Sequence, residues 1–193
     1  MNTIESVIHN WKNIQKNAVI IDTETTGLDK LSELVEISII DARGTVLFDS
    51  LIKPINEIPV EARKIHGITD REVLSAPSWA EVYTQVRHIC HQRNVVFYNR
   101  SFDQRILDQS SLFHDLDITK HWDTKWLCAM NSYSDFKQTP RNEGTGYKRH
   151  SLVNAANQLN LEIPKKLHRA LPDAQLTLAV INEAYNQLAG TKS

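Results

Sequence analysis

The chain has 193 residues, of which 41% are apolar and 23% are charged, with six glycines and six prolines. These values describe a soluble globular domain and exclude collagen-like, low-complexity and wholly disordered chains. The 22 basic and 23 acidic residues give a formal net charge of −1. That balance excludes a polycation that coats nucleic acid non-specifically, but it leaves room for a local nucleic-acid site.

The first half of the chain predicts a helix followed by a strand meander. Apolar residues at helical spacing predict an amphipathic helical extension over residues 1–16. The apolar run 18–21 predicts a buried central strand, and the alternating pattern of residues 35–39 predicts a second strand. The Arg-Gly pair at 43–44 predicts a hairpin turn into a third strand over residues 45–52.

Helices dominate the rest of the predicted domain. Capping-box patterns at residues 69–72 and 78–81 predict two helix starts, and the apolar run 95–98 predicts another buried strand. Residues 137–148 contain proline and glycine with few apolar side chains, which predicts a mobile surface loop. No repeat or linker interrupts the pattern, so we interpret residues 1–193 as one α/β domain.

Cysteine usage and hydropathy bear on the compartment. Cys90 and Cys128 are too few for a disulfide framework. No apolar run approaches the roughly 20 residues that a membrane span needs, and the N-terminus lacks the basic-then-apolar pattern of a signal peptide. We therefore expect a cytoplasmic protein with no membrane partner.

Two acidic residues at the end of the first apolar strand form the strongest chemical pattern. Asp22 and Glu24 are two apart, and residues two apart on a strand point to the same face. Two ionised carboxylates side by side repel each other, and a hard divalent cation such as Mg²⁺ or Mn²⁺ between them relieves that repulsion. The alternative is that both side chains only solvate a turn, and spacing alone does not decide between the two.

Further acidic residues and one histidine stand in two later segments. Asp103 follows the later strand, where it could equally be a helix N-terminal acid stabilised by the helix dipole. Pro172 fits the first turn of a helix, which places Asp173 in that turn. Positions five apart on a helix diverge by about 140°, so His168 can reach Asp173 only from the preceding loop. A loop histidine beside a bound water suits a general base, while an exposed surface histidine is the alternative.

Together these segments resemble the DEDDh branch of the DEDD superfamily of 3′–5′ exonucleases, which includes polymerase proofreading subunits and ribonuclease T. The matches occur in the family's order and cover the chain from about residue 17 onward. The matching segments are Asp22-x-Glu24 with Thr26-Gly27-Leu28, Asn99-x-x-Phe102-Asp103, and His168-x(4)-Asp173. One departure is Tyr98, where many members have histidine, and it bears on substrate contacts more than on catalysis.

The resemblance implies a ribonuclease H-like fold, with a mixed five-stranded sheet and helices on both sides. It also implies release of nucleoside monophosphates from single-stranded 3′ ends, with DNA favoured. Two divalent cations, Mg²⁺ or Mn²⁺, would be held by Asp22, Glu24, Asp103 and Asp173, with His168 as base on the attacking water. Two cations about 3.5–4 Å apart can clamp the attacking and leaving oxygens of a phosphodiester.

The resemblance further implies contacts to the substrate. The candidates are Thr25, Gly27, Leu28, His66 and Asn99. The first three would lie against the terminal nucleotide, with the leucine near its base. His66 could instead cap the helix around Thr69, and Asn99 could instead orient Asp103.

A basic segment lies close to the third motif. Residues 137–169 carry seven basic and two acidic side chains, a local charge of +5. Such a segment would attract the polyanionic strand that the carboxylates repel. A solvated charged loop is the alternative.

Three other functions compete with this prediction. They are an RNA 3′-end trimming nuclease, a catalytically silent nucleic-acid-binding module, and a polymerase-associated module. The presence of all five catalytic positions argues against a silent module, and the absence of a polymerase domain or long C-terminal tether favours a free-standing enzyme. A homodimer or a polymerase-type partner chain stays open.

Overall fold

A computed structural model describes residues 6–117 and 122–190, and its centre is a five-stranded sheet. The strands are β1 (Ala18–Thr25), β2 (Leu34–Asp41), β3 (Val46–Leu51), β4 (Asn94–Phe97) and β5 (Lys125–Cys128). Their order across the sheet is β3-β2-β1-β4-β5. The first three strands run antiparallel as a meander, whereas β4 is parallel to both β1 and β5. The expectation of a mixed five-stranded sheet is confirmed.

Helices cover both faces of this sheet. The helices of the described residues are α1 (Trp11–Ile14), α2 (Val60–His66), α3 (Asp70–Val73), α4 (Trp79–Cys90), α5 (Arg100–Phe113), α6 (Ala129–Lys137), α7 (Leu152–Gln158) and α8 (Ala170–Gly190). One core forms where α1, α6, α7 and α8 meet the sheet, and a second forms beneath α4 and α5. None of the helices in the described ranges is long and apolar enough to cross a bilayer.

Strand β1 is buried on both faces, and its alternation decides where the later acidic residues point. Ala18 and Ile20 pack in the core beneath α8, while Val19 and Ile21 pack in the core beneath α4 and α5. Because successive side chains on a strand point to opposite faces, Asp22 continues the face beneath α8. The apolar half of β1 therefore orients the acidic half.

The predicted helix over residues 1–16 is wrong in its extent. Among the described residues 6–16 only the single turn Trp11–Ile14 is α-helical, and a 3₁₀ turn at Gln15–Asn17 leads into β1. The apolar spacing instead serves tertiary packing, since Trp11 is buried against α8 and its Nε1–H donates to Asn182 at 2.6 Å. An isolated helix this short is marginal in water, so packing overrides the local pattern. The first five residues lie outside the described ranges.

The predicted turn and helix caps are confirmed. In both capping boxes the glutamate carboxylate accepts the backbone N–H of the cap residue, Thr69 with Glu72 and Ser78 with Glu81. Gly44 has φ +84° in the β2–β3 hairpin, a conformation that L side chains rarely adopt.

The segment 137–148 lies on the surface, as the sequence predicts. Most of its residues are exposed, and an isolated antiparallel bridge joins Pro140 to Tyr147. Its mobility stays a prediction, as does the interpretation of residues 1–193 as a single domain.

Tyr98, the departure from the family pattern, packs in the core beneath α8. Its ring is buried, and its hydroxyl donates to the backbone carbonyl of His150 at 2.8 Å. His150 directly precedes Ser151, which caps α7. The side chain of Tyr98 therefore stabilises the start of α7. It does not face the solvent, from which a substrate would bind.

We expect Tyr98→Phe to destabilise the fold and leave catalysis intact. The change removes one buried hydrogen bond and leaves the carbonyl of His150 unpaired, which costs about 1 kcal/mol. For a chain of this size the melting temperature should fall by about 2–4 °C. Thermal unfolding and an assay of the activity that the resemblance implies, on the same preparation, check this, and a loss of turnover at unchanged stability would contradict it.

Candidate active site

Three carboxylates from two elements meet on the face of the sheet beneath α8. Asp22 and Glu24 come from β1, and Asp173 comes from the first turn of α8. One carboxylate oxygen from each lies within 4.8 Å of the others. The two residues from β1 therefore share a face and converge with the acid of the third motif.

Asp103 approaches from the first turn of α5 and is buried. Its Oδ1 accepts a hydrogen bond of 2.8 Å from the hydroxyl of Thr23, the β1 residue between the two acids. Asp103 is close enough to raise the pKa of Asp22, although it stands outside the 4.8 Å group. Asp103 thus lies beside the cluster. Thr23, whose side chain is on the opposite face of β1 from the two acids, links it to that strand.

Burial and mutual repulsion make these acids hold their protons. Burial is the larger cause and raises the pKa of Glu24 to about 8, with the nearby Asp173 carboxylate as the next cause. Burial likewise raises the pKa of Asp103 to about 7 and the pKa of Asp22 well above its ordinary range. The pKa of Asp173 is also raised by burial. Near neutral pH the cluster is therefore partly protonated unless a cation compensates its charge.

The donor set fits a hard divalent cation. All of its ligand atoms are carboxylate oxygens, which Mg²⁺ and Mn²⁺ prefer. Oδ1 of Asp173 is buried and has no hydrogen-bond partner within residues 6–117 and 122–190. A buried carboxylate oxygen left without a donor is costly, and a cation at the centre of the cluster would satisfy it.

His168 lies on the loop before α8, from where it can converge with Asp173. Its backbone N–H donates to Oδ2 of Asp173 at 3.3 Å. Its φ of +60° is left-handed, which is uncommon for a residue with a β-carbon. The side chain is exposed, so the imidazole is open to solvent at the edge of the acidic cluster.

The segment after β1 presents an apolar side chain to solvent. The hydroxyl of Thr25 donates to the carbonyl of Gly27 at 2.7 Å, and a β-carbon on Gly27 would stand 3.0 Å from the Ser32 hydroxyl. Arg105 of α5 donates to the carbonyl of Leu28 at 3.1 Å. The backbone is held while the side chain of Leu28 is 77% exposed.

The other two substrate candidates have different surroundings. His66 ends α2, and its Nδ1 accepts the Ile68 N–H at 3.0 Å, which fixes the turn before α3. Among the described residues its buried Nε2 has no hydrogen-bond partner of good geometry, and burial lowers the pKa of the ring against an opposing backbone contact with Thr25. The side chain of Asn99 accepts from the Ser101 hydroxyl. The carboxylate of Asp103 is engaged by the hydroxyl of Thr23, whereas Asn99 meets Asp103 through its backbone carbonyl, which accepts the Asp103 N–H at 3.4 Å.

Two charged residues of the site were missed by the sequence reasoning. Arg169 was assigned to the basic segment 137–169, yet its guanidinium forms an ion pair with the buried carboxylate of Glu36. Glu36 stands between apolar neighbours on β2, and an acid in that pattern was the available signal. Its partner could not be found from sequence, because the pairing joins residues 133 positions apart.

Comparisons with known proteins agree with this geometry. A family model described as exonuclease, of the ribonuclease T type, matches residues 19–181. The chain belongs to this exonuclease family. The predicted membership of the exonuclease family is thereby confirmed, and the enzyme is a phosphodiester hydrolase.

Individual relatives of this exonuclease cover most of its length. The uncharacterized exonuclease CP81 of Escherichia phage 186 is 36% identical over 183 residues, which are 93% of each chain. DNA polymerase III subunit epsilon of Rickettsia prowazekii is 31% identical over 179 residues, with 89% of this chain and 73% of that protein covered. Exonuclease X, solved in complex with 5′ overhanging duplex DNA, is 28% identical with a TM-score of 0.63, over 88% of this chain and 92% of that chain. The ribonuclease H-like fold is confirmed.

The raised pKa values make the stability of the metal-free exonuclease fall with rising pH. The folded state binds more protons than the unfolded state, because the pKa of Glu24 rises from 4.5 to about 8 on folding. Stability without metal should therefore decline as pH rises through that window. Added Mg²⁺ or Mn²⁺ should stabilise the protein more at about pH 8 than at about pH 5, since its ligands must lose protons.

Thermal unfolding with EDTA and with each metal measures both effects. Glu24→Gln should flatten the metal-free pH dependence, whereas Glu57→Gln, a change at an exposed glutamate of the loop before α2, should not. Equal stabilisation by metal at both pH values would contradict the assignment of these acids to a cation site.

Proposed function

We propose that this exonuclease hydrolyses single-stranded DNA from the 3′ end and releases nucleoside monophosphates with the help of two divalent cations, Mg²⁺ or Mn²⁺. The observation that carries the proposal is the convergence of carboxylate oxygens of Asp22, Glu24 and Asp173 within 4.8 Å, where Oδ1 of Asp173 has no partner in the part of the chain that the structure describes. Asp103 supplies the fourth carboxylate through its place beside Asp22.

These four acids would hold the cations and set their places. When bound, the cations would neutralise the phosphate and stabilise the charge on the attacking and leaving oxygens. Thr23 keeps Asp103 aimed at the cluster through its hydroxyl. Charge compensation also lets the acids, whose pKa values are raised, ionise near neutral pH.

His168 is the proposed general base. It stands outside the carboxylate cluster, and its N–H is bonded to Asp173, so the imidazole is next to the place where water would be activated. An exposed histidine can pass the proton it takes to solvent. The ordinary pKa of a histidine side chain lies near neutrality, which suits this exchange.

The end of the strand is proposed to lie against residues 25–28. Leu28 is exposed on a backbone held by Arg105, which suits contact with the face of the terminal base. Thr25 and Gly27 are proposed to line the same contact, because both stand between the acids and Leu28. Asn99, at the start of α5, and His66, at the end of α2, are the proposed polar contacts to the nucleotide.

The basic surface is proposed to guide the strand. Arg141, Lys148 and Arg149 are exposed, so their charges are available to phosphates. Arg169 is excluded from this set because its charge is paired with Glu36.

The preference for DNA rests on the relatives. One is named a DNA polymerase III subunit, and another was solved with duplex DNA bound. The choice between DNA and RNA depends on how the site treats the 2′-hydroxyl. A free-standing enzyme in the cytoplasm is proposed, and a homodimer or a polymerase-type partner would show in the mass of the purified protein.

Matched DNA and RNA strands, single and double, each carrying a 3′ or a 5′ label, test the proposal. We expect mononucleotides to be released from 3′ ends of single-stranded DNA, only when Mg²⁺ or Mn²⁺ is present. Faster hydrolysis of RNA would replace the substrate class with 3′-end trimming. Internal cuts, release from the 5′ end, or no release in either metal would contradict the proposal.

His168→Ala should slow turnover by roughly 10²–10⁴-fold while metal binding survives, because a general base typically contributes that factor. Single-turnover hydrolysis and metal titration of the same variant measure the two properties. His114→Ala, a change after the end of α5, is the matched control and should behave as the wild type. An unchanged rate in His168→Ala would remove His168 from the mechanism.

A further inference from the structure

Glu36 presents a fifth carboxylate to the acidic cluster. It lies on β2 directly opposite Glu24 of β1 in the antiparallel register. Directly opposed residues of an antiparallel pair have side chains on the same face, and like charges there are destabilising. The side chain of Glu36 is only 6% exposed, so water does little to screen the repulsion.

The two opposed glutamates nevertheless differ in their hydrogen-bond donors. Both oxygens of Glu36 accept from donors at the junction of the loop and α8. Nε of Arg169 donates at 3.0 Å to each oxygen, its Nη2 donates to Oε1, and the backbone N–H of Ala170, the first residue of α8, donates at 2.8 Å to Oε2. Glu24 has no such donors among the described residues and remains available to the cluster. Glu36 therefore holds the end of the loop before α8 and is not a further ligand of the cluster.

The residues that Glu36 binds, Arg169 and Ala170, directly follow His168. On its other side, His168 is tied by its own N–H to Asp173. Within the described part of the chain, the imidazole itself makes no hydrogen bond. Its position is therefore set through the backbone alone, at a left-handed φ of +60° that needs support from its surroundings.

We propose that Glu36 and Arg169 are a positioning pair that holds His168 over the acidic cluster. The inference deepens the proposed function and rests on it, because it assumes that His168 is the base. The planar guanidinium fixes both distance and angle through its paired contacts, which a lysine ammonium does not. A base displaced by about 1 Å can lose about 10²-fold in rate, so loss of the pair should lower kcat more than it changes KM.

Single substitutions give the first test. Glu36→Gln keeps the size of the side chain and removes its charge, and Arg169→Lys keeps the charge and removes the fork. We expect kcat to fall about 10–100-fold in Glu36→Gln and less in Arg169→Lys, with KM for a single-stranded DNA nearly unchanged. Arg43→Met is the matched control, because Arg43 also pairs with an acid of β2, Asp41, but at the exposed hairpin end of the strand. It should keep the wild-type kcat.

The decisive test repeats these substitutions in the His168→Ala background. A pair that acts through His168 has nothing to position once the imidazole is gone, so Glu36→Gln should then change kcat by less than about twofold. A loss of the same size in both backgrounds would overturn the proposal, because it would indicate a role in the fold or in cation binding. If Glu36→Gln does not fold, by thermal unfolding, the same comparison is made with Arg169→Lys.

Different results would overturn the role of His168 as base and the role of the Glu36–Arg169 pair. An unchanged rate in His168→Ala overturns the base itself. A slow His168→Ala together with wild-type kcat in both Glu36→Gln and Arg169→Lys leaves the base standing and overturns the positioning pair.

Discussion

The repulsion among half-buried carboxylates is the constraint around which the rest of this exonuclease is arranged. Asp22, Glu24 and Asp173 are held within 4.8 Å of one another although burial and their neighbours raise the pKa of each. A folded protein tolerates such a cluster only because the surrounding core is large enough to offset it. Here the apolar half of β1, covered by helices on both faces, supplies that core.

Side chains of β1 alternate between the two faces of the sheet, and this alternation places the site residues against either α8 or α5. Even-numbered positions of β1 carry the two acids toward α8, while Thr23 points to the opposite face and engages Asp103 on α5. The neighbouring strand repeats the arrangement, with Glu36 on the same face as Glu24. No donor among the described residues engages Glu24, whereas Arg169 and Ala170 donate to both oxygens of Glu36. Two residues of the same type thus acquire different roles from their donors.

Much of this could be read from the sequence, and the limits have physical reasons. The period of two in residues 18–24 predicted that Asp22 and Glu24 share a face, and helical geometry predicted that His168 lies on a loop. The helix over residues 1–16 was wrong because burial of Trp11 against α8 decides that segment. The partner of Glu36 was beyond reach because it depends on tertiary contact over more than a hundred residues. The counting of Arg169 as a free cation failed for the same reason.

The register of β1 also restricts how this chain can change during evolution. One residue inserted between Ile21 and Asp22 would turn both acids toward α5 and Thr23 toward α8, because the side-chain period of a strand is two. We therefore expect no insertions or deletions in this strand, whereas the exposed segment 137–148 can accommodate them without disturbing the sheet. Relatives of different specificity are expected to differ in loop length around an acidic strand whose length is fixed.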